Sequence, residues 1–303
     1  MGSRTKNSAA SRSVEGYGTF LREQRGLSPR VIAERVRIVE RFIQHMGGVP
    51  ASSLTPSMID AFMLKEGKRR SRRGIGGITD AVRSFLRYLF LSGEIATDLA
   101  PRVITPKLYR LESIPLGMPW PEAIRLLDSV DQQTPTGRRD YAILLMLALY
   151  GFRSCEVRRL ELEDIDWERE TIRIQSSKGA PVRSLPLHPA VAAALVSYLK
   201  NARPESPFRV AFLTARRKIG PLGKSAIGMM IAGRLKRAGI GLPRHGAHQL
   251  RHATAINLQA KGFSLKAIGD FLGHQHPQST FTYAKAAIED LREVALDLEG
   301  VVE

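Results

Sequence analysis

The sequence predicts a mainly α-helical chain of two domains, the second interrupted by a small β-hairpin. Three observations carry this. Apolar residues recur at spacings near three and four from Val14 to Leu99 and again through most of the second half. Between these stretches, Asp98 to Trp120 holds Pro101, Pro106, Pro115 and Pro119 and shows no sustained period, as a linker would. Period-two alternation is confined to Thr171–Ile174 (TIRI) and residues 183–187 (RSLPL), with SSKGAP between them as turn material. A length of 303 residues suits two such bodies.

The elements follow in order. Residues 1–13, MGSRTKNSAASRS, are small and polar and are expected to lack regular structure. In the first body, 14–100, Ser28-Pro29 and Thr55-Pro56 each read as a helix start, with proline at the first helical position. A further helix is expected from about Ile78 to Ser92, with Val82, Phe85, Leu86, Leu89 and Phe90 on its apolar side and Gly93 ending it. After a linker at 101–117, the second body, 118–287, opens with a helix near Pro121. Arg139 to Gly151 is almost wholly apolar, which predicts burial. Helices are expected at about 189–201, 225–238, 248–261 and 264–272. In the tail, 288–303, Ile288, Leu291, Val294, Ala295 and Leu298 form one stripe among six acidic residues and one basic residue. Such a helix packs either on its own domain or on a neighbouring protomer.

Charge narrows the function. Forty-six Lys and Arg against 29 Asp and Glu give a formal net charge of +17, which favours a polyanion such as DNA or RNA. The run KRRSRRG at 68–74 contributes Lys68, Arg69, Arg70, Arg72 and Arg73 just ahead of a predicted helix, where phosphate contact competes with simple solvation. A single cysteine, Cys155, allows neither an internal disulfide nor a Cys-rich zinc module. No apolar leader opens the chain, and its longest apolar run, Ala142–Tyr150, falls far short of the ~20 residues that span a bilayer. A cytoplasmic, DNA-associated protein is the expectation.

Attack on a DNA phosphate needs fixed cations for the charge that builds on the non-bridging oxygens, with groups to take and give protons. Arginine suits the first task because its planar fork bonds two oxygens and stays charged. Arg153 stands in GFRSCEV with Glu156 one helical turn on. His248 and Arg251 stand in HQLRHATA at i, i+3. Lys178 stands in SKGAPVRSLPL, and His274 stands in LGH with Tyr283 nine residues later. Singly, each has a plainer reading: a core tyrosine, an Arg153–Glu156 surface pair, an exposed turn lysine, a capping histidine. His245, His248 and His252 could alternatively ring a zinc ion, but no cysteine or carboxylate lies close in sequence to complete it.

Together and in this order, the four motifs resemble the tyrosine recombinase (phage integrase-like) family. The resemblance covers about 118–300 by motif and 14–100 by architecture. It implies a SAM-like helical core-binding domain before an α+β catalytic domain. It also implies that Tyr283 is the nucleophile, forming a 3′-phosphotyrosyl link and freeing a 5′-hydroxyl. Arg153 and Arg251 would hold the phosphate, Lys178 would protonate the leaving oxygen, and His248 would assist proton transfer. His274 would bond the phosphate, with Glu156 and His252 in support. The family often has a second lysine three residues after the first, where this chain has Pro181. A phenol of pKa ~10 becomes reactive when surrounding cations favour phenolate. The phosphotyrosyl bond conserves the energy of the diester, so no cofactor is expected; the sequence has no GxxxxGK[ST] loop and no acidic cluster suited to Mg²⁺. Double-stranded DNA gripped by a homotetramer on two sites, linked through the C-terminal helix in trans, is the implied assembly. Type IB topoisomerases and telomere resolvases share this chemistry, and a DNA-binding regulator on a degenerate scaffold is the non-enzymatic rival.

Overall fold

In the computed structural model, described residues are 2–105, 117–175, 182–214, 218–242, 246–274 and 280. The chain forms two units, Met1–Glu112 and Ser113–Glu303.

The first unit is helical: α1 (Gly2–Glu23), α2 (Pro29–His45), α3 (Pro56–Gly67) and α4 (Arg72–Leu91). Helix α2 starts at Pro29 after Ser28, and α3 at Pro56 after Thr55, as the Ser-Pro and Thr-Pro steps predict. Two boundaries differ from expectation. Helix α1 runs from Gly2, so the first thirteen residues are helical rather than irregular from residue 2 onward. No proline interrupts them, and Ser13 ties the helix to Glu94 through a side-chain hydrogen bond. Helix α4 starts at Arg72, six residues before the predicted Ile78. Ser71 caps it by accepting from the Gly74 N–H at 3.2 Å, which overrides the weak helix propensity of Gly74, Gly76 and Gly77. Helix α4 is the spine of this unit. Its Phe85 meets Tyr17 edge-on at 5.3 Å, and Phe42 of α2 meets Phe62 of α3 at 5.2 Å. Leu99, Ala100 and Val103 are buried in the same core, so the packing of this unit continues beyond residue 100.

The second unit is built around α6 (Pro135–Tyr150), preceded by α5 (Trp120–Asp128). Thr134 caps α6 by accepting from the Gly137 N–H at 3.0 Å, and Pro135 occupies its first turn. Ala142 to Ala148 are all buried, which matches the unbroken apolar run. At its charged end, buried Asp140 accepts from Arg234 at 2.7 Å and Arg139 at 2.8 Å. After α7 (Ser154–Arg159), strands β1 (Ile165–Asp166), β2 (Thr171–Ile174) and β3 (Arg183–Pro186) form an antiparallel sheet in that order. Thr171 pairs with Pro186 and Ile174 with Arg183. Then come α8 (Pro189–Asn201), a short antiparallel pair β4 (Leu213–Thr214) and β5 (Gly220–Pro221), α9 (Ala226–Arg237), α10 (Ala247–Ala260) and α11 (Leu265–Leu272). Helices α8, α10 and α5 pack around α6. The chain is thus mainly α with a small antiparallel sheet. Among the described residues, no helix is long and apolar enough to cross a membrane.

Candidate active site

The site begins where α6 ends. Gly151 adopts the left-handed conformation, with φ 60°. A Cβ there would lie 2.5 Å from Leu272 Cδ2, so both the backbone angle and the packing call for glycine. The turn delivers Arg153 to the start of α7. There Glu156 reaches back one turn, accepting from the Arg153 backbone N–H at 2.9 Å and from Arg153 Nη1 at 2.8 Å. The salt bridge thus joins a fully buried carboxylate to a guanidinium that is a third exposed. Arg153 Nη2 also donates to the Gly273 carbonyl at 3.2 Å.

Helix α10 supplies His248, Arg251 and His252. Arg251 is only 2% exposed, an extreme burial for a permanent charge. Its Nη1 donates to the Gly151 carbonyl at 2.6 Å and its Nη2 to the Leu272 carbonyl at 2.8 Å, which bridges the ends of α6 and α11. Thr254 anchors α10 to α6 by donating to the Ala148 carbonyl at 2.7 Å. The rings of His248 and His252 meet edge-on at 4.4 Å. Burial of part of the ring, followed by the charges of Arg251 and Arg153, lowers the pKa of His248. Among the described residues, no group of three His, Cys, Asp or Glu side chains is placed to hold a metal ion; His245 lies outside them.

His274 follows the left-handed turn at Gly273, φ 67°, that ends α11. Its Nδ1 shares a 2.7 Å hydrogen bond with Thr280 Oγ1. Burial, then the charges of Arg251, Arg153, His248 and Arg183, depress its pKa to about 4. The ring is therefore neutral at physiological pH, with one N–H to give and one lone pair to offer.

Five of the predicted site residues, Arg153, Glu156, His248, Arg251 and His274, are thus gathered at the ends of α6, α7, α10 and α11, and a sixth, His252, lies against His248 on α10. Lys178, Tyr283 and the tail 288–303 lie outside the described residues. Cys155 is half-buried beside the site. Two participants went unpredicted. Thr280 is buried against Gly269, where a Cβ would sit 2.8 Å from Thr280 Oγ1. Arg183, on β3, faces Glu156 with Nη2 3.6 Å from Oε2. One sequence signal pointed to Arg183: in RSLPL it occupies the same strand phase as Leu185 and Leu187, which makes it a charge at an inward position.

In the first unit, Lys68, Arg69, Arg70 and Arg72 are exposed at the α3–α4 junction, and Arg73 lies in the first turn of α4. Buried Glu66 holds Arg70 Nε at 3.0 Å and lies 3.7 Å from Arg41 Nη2, which organises the basic surface from beneath.

Comparison with known proteins agrees with these features. Residues 120–289 match the phage integrase family. The Sinorhizobium fredii protein y4rA, which carries an integrase/recombinase name, is 38% identical over 297 residues, spanning 97% of this chain and 72% of that protein. Tyrosine recombinase XerA of Thermococcus kodakarensis is 29% identical over 279 residues, 92% of each chain. In fold, the chain resembles XerH site-specific recombinase bound to palindromic difH substrate, with a TM-score of 0.70 at 17% identity, covering 95% of this chain and 96% of that one. Lambda integrase (75–356) bound to a COC′ core site gives a TM-score of 0.70 at 16% identity, covering 88% and 95%. With the family match spanning more than half of its length and a relative above 30% identity along nearly all of it, this chain belongs to the phage integrase family of tyrosine recombinases.

Proposed function

We propose that the chain is a site-specific DNA recombinase that cuts and rejoins duplex DNA through Tyr283. The observation that carries this reading is the convergence of Arg153, Arg251, His248 and His274, from separate segments of the sequence, around the end of α11, with His274 nine residues before Tyr283. Two guanidiniums within reach of one neutral histidine form an anion site that can stabilise charge on phosphate oxygens without titrating near neutral pH.

In the proposed step, the Tyr283 oxygen attacks phosphorus while its proton passes to His248. The bond from phosphorus to the 5′ oxygen breaks, and Lys178 supplies the proton that makes the 5′-hydroxyl. Arg153, Arg251 and His274 hold the non-bridging oxygens throughout. One phosphodiester is exchanged for one phosphotyrosyl ester, so religation to a partner strand needs no further energy source. Four protomers on two DNA sites, exchanging strands through a Holliday junction, complete the reading. The basic face of the first unit tracks the phosphate backbone, and the acidic tail helix links protomers in trans.

The test is a nicked suicide duplex, drawn from a random-sequence library by binding to the chain. The parent chain should become covalently attached and Tyr283→Phe should not; attachment of both would refute the assignment of Tyr283. Deleting 288–303 should preserve duplex binding and weaken higher assembly in sedimentation. An unchanged synaptic complex would remove the tail from that role.

A further inference from the structure

The end of α11 leaves a run of carbonyls without partners inside the helix. All five from 269 to 273 are satisfied, in two different ways. The backbone closes the first two: His274 N–H bonds the Gly269 carbonyl at 2.9 Å and Gly273 N–H the Asp270 carbonyl at 3.1 Å. The next three are taken by three arginines from three different elements. Arg183 Nη1 donates to Phe271 at 2.5 Å, Arg251 Nη2 to Leu272 at 2.8 Å, and Arg153 Nη2 to Gly273 at 3.2 Å. Cations are favourable at a helix C-terminus, and this one holds three.

We propose that Arg183 is a positioning residue of the cleavage site: it clasps β3 and Glu156 to the end of α11, and so sets His274 and Arg153 for the phosphate. This rests on the recombinase reading of the site. Two of the three clasping arginines already have a role there; Arg183 has none. Its side chain is 14% exposed, and among the described residues its Nε and Nη2 are buried without a hydrogen-bond acceptor. An apolar side chain would fill this place without burying a charge, so the guanidinium itself must matter. What compensates it is Glu156, which Arg153 also uses. Gly273 completes the fit. With φ 67°, its bare α-carbon lets the Arg183 guanidinium lie against the turn, where a Cβ would sit 2.6 Å from Nε and 2.7 Å from Cζ. The charged and titratable groups facing His274 are Arg251 and His248 from α10, Arg153 from the start of α7, and Arg183 from β3, with Thr280 as its hydrogen-bond partner. The only carboxylate bonded into this cluster among the described residues is Glu156.

The experiment uses the full chain with Arg183→Lys, which keeps the charge but loses the fork, and Arg183→Leu, which loses both. Single-turnover covalent attachment to the library-selected nicked duplex is measured at saturating DNA, and affinity for the intact duplex is measured separately. Attachment should slow at least tenfold in both variants while affinity stays within twofold. In the unliganded protein, the His274 ring resonances should titrate at a higher pH in Arg183→Leu than in the parent, and close to the parent in Arg183→Lys. Parental attachment rates in both folded variants would overturn the proposal. So would loss of folding in both, which would assign Arg183 to stability alone. If the parent itself forms no adduct, the assignment of Tyr283 fails instead, and an unmoved His274 midpoint in Arg183→Leu then decides against Arg183.

Discussion

Replacing Glu156 by alanine tests the electrostatic framework from its one buried carboxylate. Glu156 is 3% exposed; it accepts hydrogen bonds from the Arg153 N–H at 2.9 Å and Arg153 Nη1 at 2.8 Å, and forms an ion pair with Arg183 Nη2 at 3.6 Å. Removing it strips the N-terminal cap of α7, worth ~1 kcal/mol. It also leaves the Arg183 charge, at 14% side-chain exposure, buried without its counter-ion. Breaking a buried pair from one side costs about 3–5 kcal/mol. Arg153 adds little, because at 34% exposure water can screen it. The sum is about 4–6 kcal/mol, which for a unit of this size corresponds to a fall of about 8–24 °C in Tm. Glu156→Gln keeps one acceptor oxygen and should lose roughly half as much. Calorimetry of the full chain reads both transitions. A drop of less than about 3 °C for the alanine variant, against the 2–4 °C expected per kcal/mol, would refute the account of Glu156 as the charge that organises the site.

Three further outcomes follow from the geometry. His274 has its pKa lowered to about 4 in the folded chain, against an ordinary value of 6.5. The unfolded chain therefore binds its proton first as pH falls, and this contribution to stability is complete above about 6.5 and is lost toward 4. Urea midpoints across that window should fall with pH, and less steeply in His274→Gln; an equal slope in both would contradict the assignment. Gly151→Ala should cost about 2–4 kcal/mol, from a left-handed residue combined with a Cβ 2.5 Å from Leu272, as read in denaturant titration. Changing Lys68, Arg69 and Arg72 to alanine should weaken duplex binding without regard to sequence. It should also flatten the salt dependence of log K by about 0.9 for each phosphate that is no longer neutralised; an unchanged slope would remove this run from the interface.

Legibility in the sequence followed the locality of the signal. Starts at Ser28-Pro29 and Thr55-Pro56 were readable because a cap residue and a proline are local chemistry. The buried helix α6 was readable because burial on all sides leaves an unbroken apolar run. The start of α4 was obscured by Gly74, Gly76 and Gly77, whose low propensity yields to packing. Two-residue strands such as β1, β4 and β5 are too short to show alternation. In the site, Arg153, Glu156, His248, Arg251 and His274 were found through their motifs. Their actual bonding was invisible, because it runs through backbone carbonyls at the end of a distant helix. Arg183 escaped for the same reason: its partners, Glu156 and the Phe271 carbonyl, lie far away in the chain.

The central claim is tested most directly by locating the covalent bond. After trapping on the nicked duplex, nuclease trimming and trypsin digestion, cleavage after Lys266 and Lys285 releases the peptide Ala267–Lys285, which carries both His274 and Tyr283. Fragmentation should place a nucleotide phosphate on the Tyr283 oxygen through a 3′ linkage. A phosphate on another side chain, or a trapped complex whose Ala267–Lys285 peptide is unmodified, would contradict the account.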